Sequence, residues 1–202
     1  IENTVNEAAI LAARRNQKLI SMREMEDAIE RVVLGPERKS RIMTERERKV
    51  TAYHESGHAI VARAQPDGDP VRKVTIIPRG IAGGLTWYLT DDEDQRLATR
   101  SKLKARLASM LGGRAAEELV FSKDEVTTGA SNDLEQVTSV ARRMVTRWGM
   151  SEKLGPMAFG KKDELVFLGR EIGEQRDFSE AVAEEIDAEV RGLVNAAHQL
   201  AG

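Results

Sequence analysis

Apolar residues recur at helical spacing along most of the chain, and two short stretches alternate between apolar and polar residues instead. Residues three or four apart share one face of a helix, whereas residues two apart share one face of a strand. The pattern therefore predicts a mostly α-helical protein with a small antiparallel β element. The predicted helices cover residues 2–15, 21–34, 44–64, 90–113, 114–121, 132–148 and 179–200, and the predicted strands cover residues 71–78 and 85–89.

Local signals predict where several of these helices begin and end. Ser21–Glu24 and Thr44–Glu47 fit the capping box, in which a hydroxyl and a glutamate three residues later satisfy backbone donors at a helix start. Thr90–Glu93 predicts another start. Gly35, followed by proline, predicts a helix end, and Gly112-Gly113 is interpreted as a second terminator.

Composition narrows the class of protein. The chain has 202 residues, 41% of them hydrophobic, which suits one domain with or without a small attachment. Lys and Arg (31) nearly balance Asp and Glu (33), so no nucleic-acid partner is expected. There is no cysteine, which excludes disulfides and thiolate metal sites. No apolar run reaches the roughly 20 residues of a membrane span, and the first residue is Ile, which predicts a fragment of a longer chain.

The stretch TAYHESGHAIVARA holds two of the three histidines, His54 and His58, with Glu55 directly after the first. Residues four apart on a helix lie one above the other, so two imidazoles at this spacing can bind one ion. Glu55 is rotated away by one residue and can reach a water at the ion without binding the ion itself. This is the His-Glu-x-x-His pattern of zinc peptidases, with the glutamate as general base.

A catalytic zinc site needs a third protein ligand and an open fourth position. The remaining histidine, His198, is expected to be an exposed residue of the last helix. Glu117, Glu118 and Asp133 are the carboxylate candidates, and spacing does not choose among them. Asp133 could equally cap the helix that begins near it. Thr127-Thr128-Gly129 is expected to cap that helix and to position Asp133.

Further stretches carry a resemblance to one family. In chain order they are VNEAAILAARRN, MREMEDAIERVVLGPERKSR, AYHESGHAIVA, VTIIPRG, LGGRAAEELVF, TTGASNDLEQVTSVARRMVTRWGMSEKLGPMAF and VFLGRE. Together they resemble the FtsH family of membrane-anchored, ATP-dependent AAA+ zinc proteases, over nearly the whole chain. The resemblance implies one zinc ion per chain, bound by His54, His58 and Asp133, with Glu55 as the catalytic base. It also implies structural roles for Glu117 and Glu118.

The resemblance also implies an arrangement of domains and partners. Residues 1–37 would be the C-terminal part of an AAA+ lid subdomain, and residues 38–202 the zinc metallopeptidase domain, with the basic stretch 38–41 at the boundary. The chain contains no phosphate-binding GxxxxGK[ST] loop, so ATP would be used by an ATPase domain of the same polypeptide outside this chain. The expected partners are further copies in a homohexamer and unfolded protein substrates. The full-length protein would be membrane-anchored, with this domain on the cytoplasmic side or in an organelle matrix or stroma.

Two alternatives make different predictions. A metal-binding but inactive domain would hold zinc and assemble into hexamers without cleaving casein. A purely structural helical module would bind no zinc at neutral pH. The intact Glu55 argues against the first, and the His-Glu-x-x-His pattern argues against the second.

Overall fold

The computed structural model describes residues 1–37, 42–78, 83–89, 97–160 and 178–202. In this part of the chain the α-helices are α1 (Glu2–Arg14), α2 (Met22–Leu34), α3 (Glu45–Ala64), α4 (Arg100–Phe121), α5 (Ser131–Thr146) and α6 (Glu180–Ala201). The strands are β1 (Val71–Thr75) and β2 (Leu85–Tyr88), and two short 3-10 turns, Lys123–Glu125 and Thr128–Ala130, precede α5. The predicted fold class, mostly α with a small antiparallel β element, is confirmed. The predicted boundary at residues 38–41 lies outside the described residues.

Both capping boxes form as predicted. The backbone N–H of Ser21 donates to Glu24 Oε2 at 3.1 Å, and the N–H of Thr44 donates to Glu47 Oε2 at 2.7 Å. In return the Thr44 hydroxyl accepts from the N–H of Glu47 at 3.2 Å. Gly35 follows α2 with φ of 80°, a left-handed conformation that costs glycine little. These helix ends are therefore set by short-range hydrogen bonds that the sequence reveals.

The prediction that a helix ends at Gly112-Gly113 is wrong, because α4 runs through both glycines without a break. The physical reason is a helix crossing: a Cβ on Gly112 would lie 2.6 Å from the carbonyl oxygen of Gly57 in α3. The two glycines thus allow close backbone contact between helices. The start of α4 also differs, since residues 97–99 are not helical and Thr99 caps the helix by accepting from the N–H of Lys102. The predicted start at residues 90–93 lies outside the described residues.

The antiparallel strand pair is confirmed, with shorter strands than predicted. Val71 lies opposite Tyr88 and Thr75 lies opposite Leu85, with a register irregularity between Val71 and Lys73. The sheet contacts α3, where Thr86 of β2 donates to Glu55. The pair therefore forms one wall beside the His-Glu-x-x-His motif.

Helix α4 lies at the centre of the described structure, against α3 on one side and against α5 and α6 on the other. Apolar side chains from these helices, together with Phe159 from the segment after α5, form one continuous core: Val61, Leu103, Leu107, Ala108, Leu111, Val137, Val140, Ala141, Met144, Val145, Phe159, Ile186, Val190 and Ala197. Packing of this kind fixes the relative positions of α3, α4 and α5, which carry the polar residues described next. Among the described helices, none is both long and apolar enough to span a bilayer.

Candidate metal centre

Helix α3 presents His54 and His58 on the face that packs against α4. The two side chains are nearly buried, with 9% and 7% of their surface exposed. The two Nε2 atoms lie 3.0 Å apart, one helical turn from each other. The predicted convergence of the two imidazoles is therefore present.

Asp133, in the first turn of α5, completes a triangle of possible ligand atoms. Its Oδ2 lies 3.1 Å from His54 Nε2 and 3.4 Å from His58 Nε2. Ligands at about 2.0–2.1 Å from a tetrahedral zinc ion are about 3.3–3.4 Å from one another, which these separations approach. His54, His58 and Asp133 are also the group of His, Asp and Glu residues in the described chain whose ligand atoms lie close enough to share one ion.

The hydrogen bonds on the outer side of each imidazole decide which nitrogen carries the proton. His54 Nδ1 lies 2.8 Å from Glu117 Oε1, and His58 Nδ1 lies 2.8 Å from the carbonyl oxygen of Ser109. Because a carbonyl oxygen only accepts, the proton of neutral His58 is on Nδ1, although the N–H of Gly113 lies 3.3 Å from the same atom. In both rings the lone pair of Nε2 then faces the centre. Two lone pairs and a carboxylate oxygen in contact repel one another, and a cation between them removes the repulsion.

Glu117 contacts His54, which the sequence interpretation did not predict. Its side chain is 1% exposed, and besides contacting His54 it accepts from the N–H of Thr127 at 2.7 Å. Its carboxylate therefore lies on the outer side of His54, which fits a partner that orients the imidazole. The signal was the spacing from Gly113 to Glu117: in one continuous helix the two share a face.

Glu118 and His198 lie away from the triangle and contact each other. Glu118 Oε1 accepts from Arg114 Nε at 2.8 Å, and His198 Nε2 lies 3.2 Å from Glu118 Oε2. His198 was expected to be an exposed residue, and it is instead about one-third exposed beside this carboxylate. Neither residue reaches the site.

Glycines lie where α4 packs against the two histidines. A Cβ on Gly113 would lie 2.6 Å from Nε2 of both His54 and His58. A Cβ on Gly57 would lie 2.2 Å from the carbonyl oxygen of Gly112. The glycines therefore let α4 approach α3 so closely that the backbone of α4 packs directly against the two imidazoles.

The electrostatics of the centre favour an added positive charge. Burial raises the pKa of Asp133, but hydrogen bonds from His54 and His58, which these rings can donate only when Nε2 carries a proton, outweigh it and lower the pKa to about 2. Burial lowers the pKa of His54, yet its hydrogen bonds to Asp133 and Glu117 prevail and raise that pKa. The site thus attracts a proton when no other cation neutralises Asp133, and a metal ion would compete for the same position.

Glu55 lies beside the triangle with 8% of its surface exposed. Burial raises the pKa of its carboxyl group, and the hydrogen bond from Thr86 opposes the shift in part. Thr86 Oγ1 is 2.8 Å from Glu55 Oε2. A carboxylate whose proton affinity is increased by burial is suited to act as a base near neutral pH.

A cavity of about 1040 Å³ opens onto His54, Glu55, His58 and Asp133. Strand β2 contributes Leu85, Thr86 and Tyr88 to its wall, and the segment from Thr127 to Gln136 contributes to the opposite side. This volume lies slightly above the roughly 300–1,000 Å³ of ordinary ligand sites.

The part of the chain that carries the motif, the ligand triangle and the cavity also matches a known protein family in sequence. The sequence profile of Peptidase family M41 matches residues 41–202. The chain belongs to Peptidase family M41. The cavity, the triangle and Glu55 all fall within the matched part of the M41 chain.

Similar proteins agree with this assignment. The ATP-dependent zinc metalloprotease FtsH of Chloroflexus aggregans is 61% identical over 98% of this chain and 30% of its own length. The ATP-dependent zinc metalloprotease FtsH 1 of Thermomicrobium roseum is 60% identical over 100% of this chain and 30% of its own length. The corresponding FtsH of a Synechococcus species is 56% identical over 100% of this chain and 32% of its own length. The resemblance to the FtsH family is confirmed, and the M41 chain spans only 30–32% of these relatives.

Proposed function

We propose that this chain is a zinc-dependent endopeptidase domain and that His54, His58 and Asp133 hold one zinc ion. The observation that carries the proposal is the triangle of His54 Nε2, His58 Nε2 and Asp133 Oδ2, with separations of 3.0, 3.1 and 3.4 Å. Two neutral imidazoles and a carboxylate form a ligand set that suits zinc and leaves a fourth position open. The relatives are named as zinc metalloproteases, which supports the same reaction here.

Different side chains have different roles in the proposed peptide hydrolysis. When bound, zinc lowers the pKa of a water to about 7 and polarises a carbonyl group. The carboxylate of Glu55 takes a proton from the attacking water and gives it to the leaving amine. Glu117, through His54 Nδ1, keeps the imidazole oriented with its lone pair on the ligand side.

The substrate is an extended, unfolded polypeptide. Within the described residues β2 pairs only with β1, so its other edge can form backbone hydrogen bonds with a peptide in the cavity. Recognition through backbone groups tolerates many side chains. Broad sequence specificity is therefore expected.

The proposal also covers the full-length protein, of which this chain would be one part. Residues 1–37 form the end of an AAA+ lid subdomain, and residues 38–202 form the peptidase domain. An ATPase domain of the same polypeptide delivers unfolded or membrane-extracted proteins, and a homohexamer encloses the sites. The full-length protein is membrane-anchored, with this domain on the cytoplasmic side or in an organelle matrix or stroma. The names of the relatives, which include ATP dependence, support the ATPase part of this arrangement.

The decisive experiment measures bound zinc per chain and casein cleavage in the same preparations. Asp133→Ala is expected to lose both zinc and cleavage, because two histidines alone leave the site incomplete. Glu55→Gln is expected to keep zinc and to stop cleavage. Glu118→Ala is the matched control, since Glu118 adjoins Glu117 in sequence but contacts Arg114 and His198 instead.

Other outcomes would overturn particular parts of the proposal. Zinc retained in Asp133→Ala would remove Asp133 from the ligand set. Unaltered protein that binds zinc and cleaves nothing would indicate an inactive metal-binding domain. Protein that binds no zinc at neutral pH would favour a purely structural helical module.

A further inference from the structure

Thr86 of β2 touches Glu55 of α3 in two places. Its Oγ1 lies 2.8 Å from Glu55 Oε2 and 2.9 Å from the backbone carbonyl oxygen of Glu55. The separation in sequence is 31 residues, so this contact is a product of the fold. The hydroxyl thus joins the side chain and the main chain of one glutamate.

The geometry of this contact restricts the Glu55 side chain. A glutamate on a helix rotates about three bonds, and each staggered rotamer places the carboxylate elsewhere. A donor fixed on a neighbouring strand, at hydrogen-bond distance from both the carbonyl and Oε2, fits one placement of the carboxylate relative to the helix. The hydroxyl has a single proton, which can be donated to only one of the two oxygens at a time.

The same strand region encloses the other carboxylate oxygen. A Cβ on Gly84 would lie 2.7 Å from Glu55 Oε1, 2.8 Å from Glu55 Cγ and 2.6 Å from Thr51 Cγ2. Only glycine leaves room for Glu55 in its observed position. Gly84 and Thr86 are two apart and therefore contact the side chain from one face of the extended segment.

No second hydrogen-bond donor within the described residues holds the Glu55 carboxylate. The side chain is buried, at 8% exposure, and among the described residues only Thr86 donates a hydrogen bond to it. Glu55 is one of the residues that line the cavity, so its carboxylate can reach a water there. In the described part of the chain, Thr86 is therefore the side chain that fixes the position of the Glu55 carboxylate.

We propose that Thr86 is a positioning residue for the proton-transfer step, because its hydroxyl holds Glu55 Oε2 and thereby aims the carboxylate at the cavity. This inference rests on the proposed function of Glu55 as the base. It assigns to β2 a second role besides lining the cavity: the strand determines the orientation of the base. Thr86 itself does not touch the reacting atoms.

The test compares Thr86→Val, which keeps the shape and removes the hydroxyl, with Thr86→Ser, which keeps the hydroxyl. Steady-state cleavage of a fluorogenic peptide gives kcat and KM, elemental analysis gives zinc content, and crystal structures give the position of the Glu55 carboxylate. Thr86→Val is expected to lower kcat by about 10–100-fold, the usual effect of losing an orienting partner. KM and zinc content are expected to change by less than about twofold, and Thr86→Ser is expected to restore kcat.

Thr138→Val is the matched control for loss of a threonine hydroxyl. Thr138 is exposed on α5, and its hydroxyl donates only to the carbonyl of Leu134 in the same helix, at 2.7 Å. Its kcat and KM are expected to match those of the unaltered protein. A fall in kcat equal to that of Thr86→Val would point to a general effect of hydroxyl loss and would overturn the proposal.

Three further results would also overturn the positioning role. One is an unchanged kcat in Thr86→Val, and another is a loss of zinc or folding in both Thr86 variants. The third is a Glu55 carboxylate that stays in place in the Thr86→Val crystal structure, a readout that does not depend on turnover. If the unaltered protein neither binds zinc nor cleaves peptide, the proposed function fails, and the carboxylate position still decides whether Thr86 orients Glu55.

Discussion

The helix pairs α1–α2 and α3–α4 each bury one glutamate almost completely, yet very different groups hold the two carboxylates. Glu24 in α2 is 0% exposed and Glu117 in α4 is 1% exposed. Arg15 Nη1 donates to Glu24 at 2.8 Å, and the backbone of Ser21 donates at 3.1 Å. A permanent cation and a helix cap therefore neutralise this charge within one local segment.

Within the described residues, no arginine or lysine pairs with Glu117. Its carboxylate accepts from His54 Nδ1 and from the N–H of Thr127, which are 63 and 10 residues away in sequence. Burying a carboxylate costs several kcal/mol unless hydrogen bonds and charge compensate. For Glu117 the compensation includes an imidazole whose other nitrogen faces the candidate metal centre. The buried charge of α2 thus serves the fold, whereas that of α4 also serves the site.

The two pairs also differ in their small residues. Alanines are the buried apolar residues of α1 and α2, namely Ala8, Ala12 and Ala28. Between α3 and α4 the contact is made by Gly57, Gly112 and Gly113. Alanine permits ordinary helix packing, but only glycine lets a backbone reach the histidines.

Gly113→Ala is the most direct test of the difference between the two helix pairs, because it puts an alanine where the backbone of α4 meets the histidines. The new Cβ would lie 2.6 Å from Nε2 of both His54 and His58, so the imidazoles must move apart. Zinc and casein cleavage are expected to be lost. The unfolding temperature is expected to fall as well, because displacing two buried imidazoles costs more than the better helix propensity of alanine gains. Zinc analysis and thermal unfolding check this, and full zinc occupancy in the variant would contradict it.

Glu117→Gln is expected to have the next largest effect. Glutamine keeps the shape but removes the charge that orients His54, and it offers the N–H of Thr127 a weaker acceptor. Zinc affinity is expected to fall by about 10–100-fold, as for other buried partners of metal-binding histidines. Titration against a zinc chelator measures this affinity.

Glu24→Gln is the matched control in the other helix pair. It removes an equally buried carboxylate whose partners all lie in α1, α2 and the turn between them. Zinc affinity is expected to stay unchanged. Equal losses of affinity in the two variants would show that the buried charges act only through general stability.

Gly57→Ala tests the backbone contact itself. A Cβ here would lie 2.2 Å from the carbonyl oxygen of Gly112, and backbone cannot yield as a side chain does. The free energy of unfolding is expected to fall by about 1–3 kcal/mol, the usual cost of overpacking. Chemical denaturation measures it, and an unchanged midpoint and slope would show that the two helices part without cost.

The sequence predicts the α1–α2 region well because its determinants are local. The capping box at Ser21 and the end at Gly35 involve residues within one helical turn, and both form as expected. Gly112-Gly113 was misinterpreted for the opposite reason. What makes these glycines necessary is a helix about 55 residues earlier in the chain, and single-sequence patterns carry no such long-range information.

The residues of the candidate site also fall into two groups: those that the local sequence predicts and those that depend on long-range packing. The spacing of His54, Glu55 and His58 predicts their common location, because one helix carries all three. Residue chemistry could not choose Asp133 over Glu117, since the choice depends on how α4 and α5 pack around α3. Only the resemblance indicated Asp133. The contact from Thr86 to Glu55 crosses from strand to helix and has no local signal at all.

Acid is expected to loosen α1–α2 through Glu24. Hydrogen bonds from Ser21 and then from Arg15 lower the pKa of Glu24 to about 2, below its usual 4.5. A lowered pKa stabilises the folded form above pH 4.5, and this contribution disappears as the pH falls from 4.5 towards 2. Amide hydrogen exchange in α1 and α2, corrected for intrinsic rates, is expected to speed up over this range. In Glu24→Gln the exchange should already be faster at pH 7 and should change less with acid.

Gly192→Ala in α6 is expected to have the smallest effect. It should raise the free energy of unfolding, whereas Gly57→Ala should lower it. No atom lies within 4 Å of a Cβ built at Gly192, so the methyl group meets no obstacle. Alanine loses less backbone entropy in a helix than glycine, which stabilises the fold by about 0.5–1 kcal/mol. Zinc content and cleavage should not change. Because Gly57→Ala is the same chemical change in another helix, a rise in the denaturation midpoint here and a fall there would separate helix propensity from helix contact. A rise at both positions would mean that Gly57 has no special role in the contact between α3 and α4.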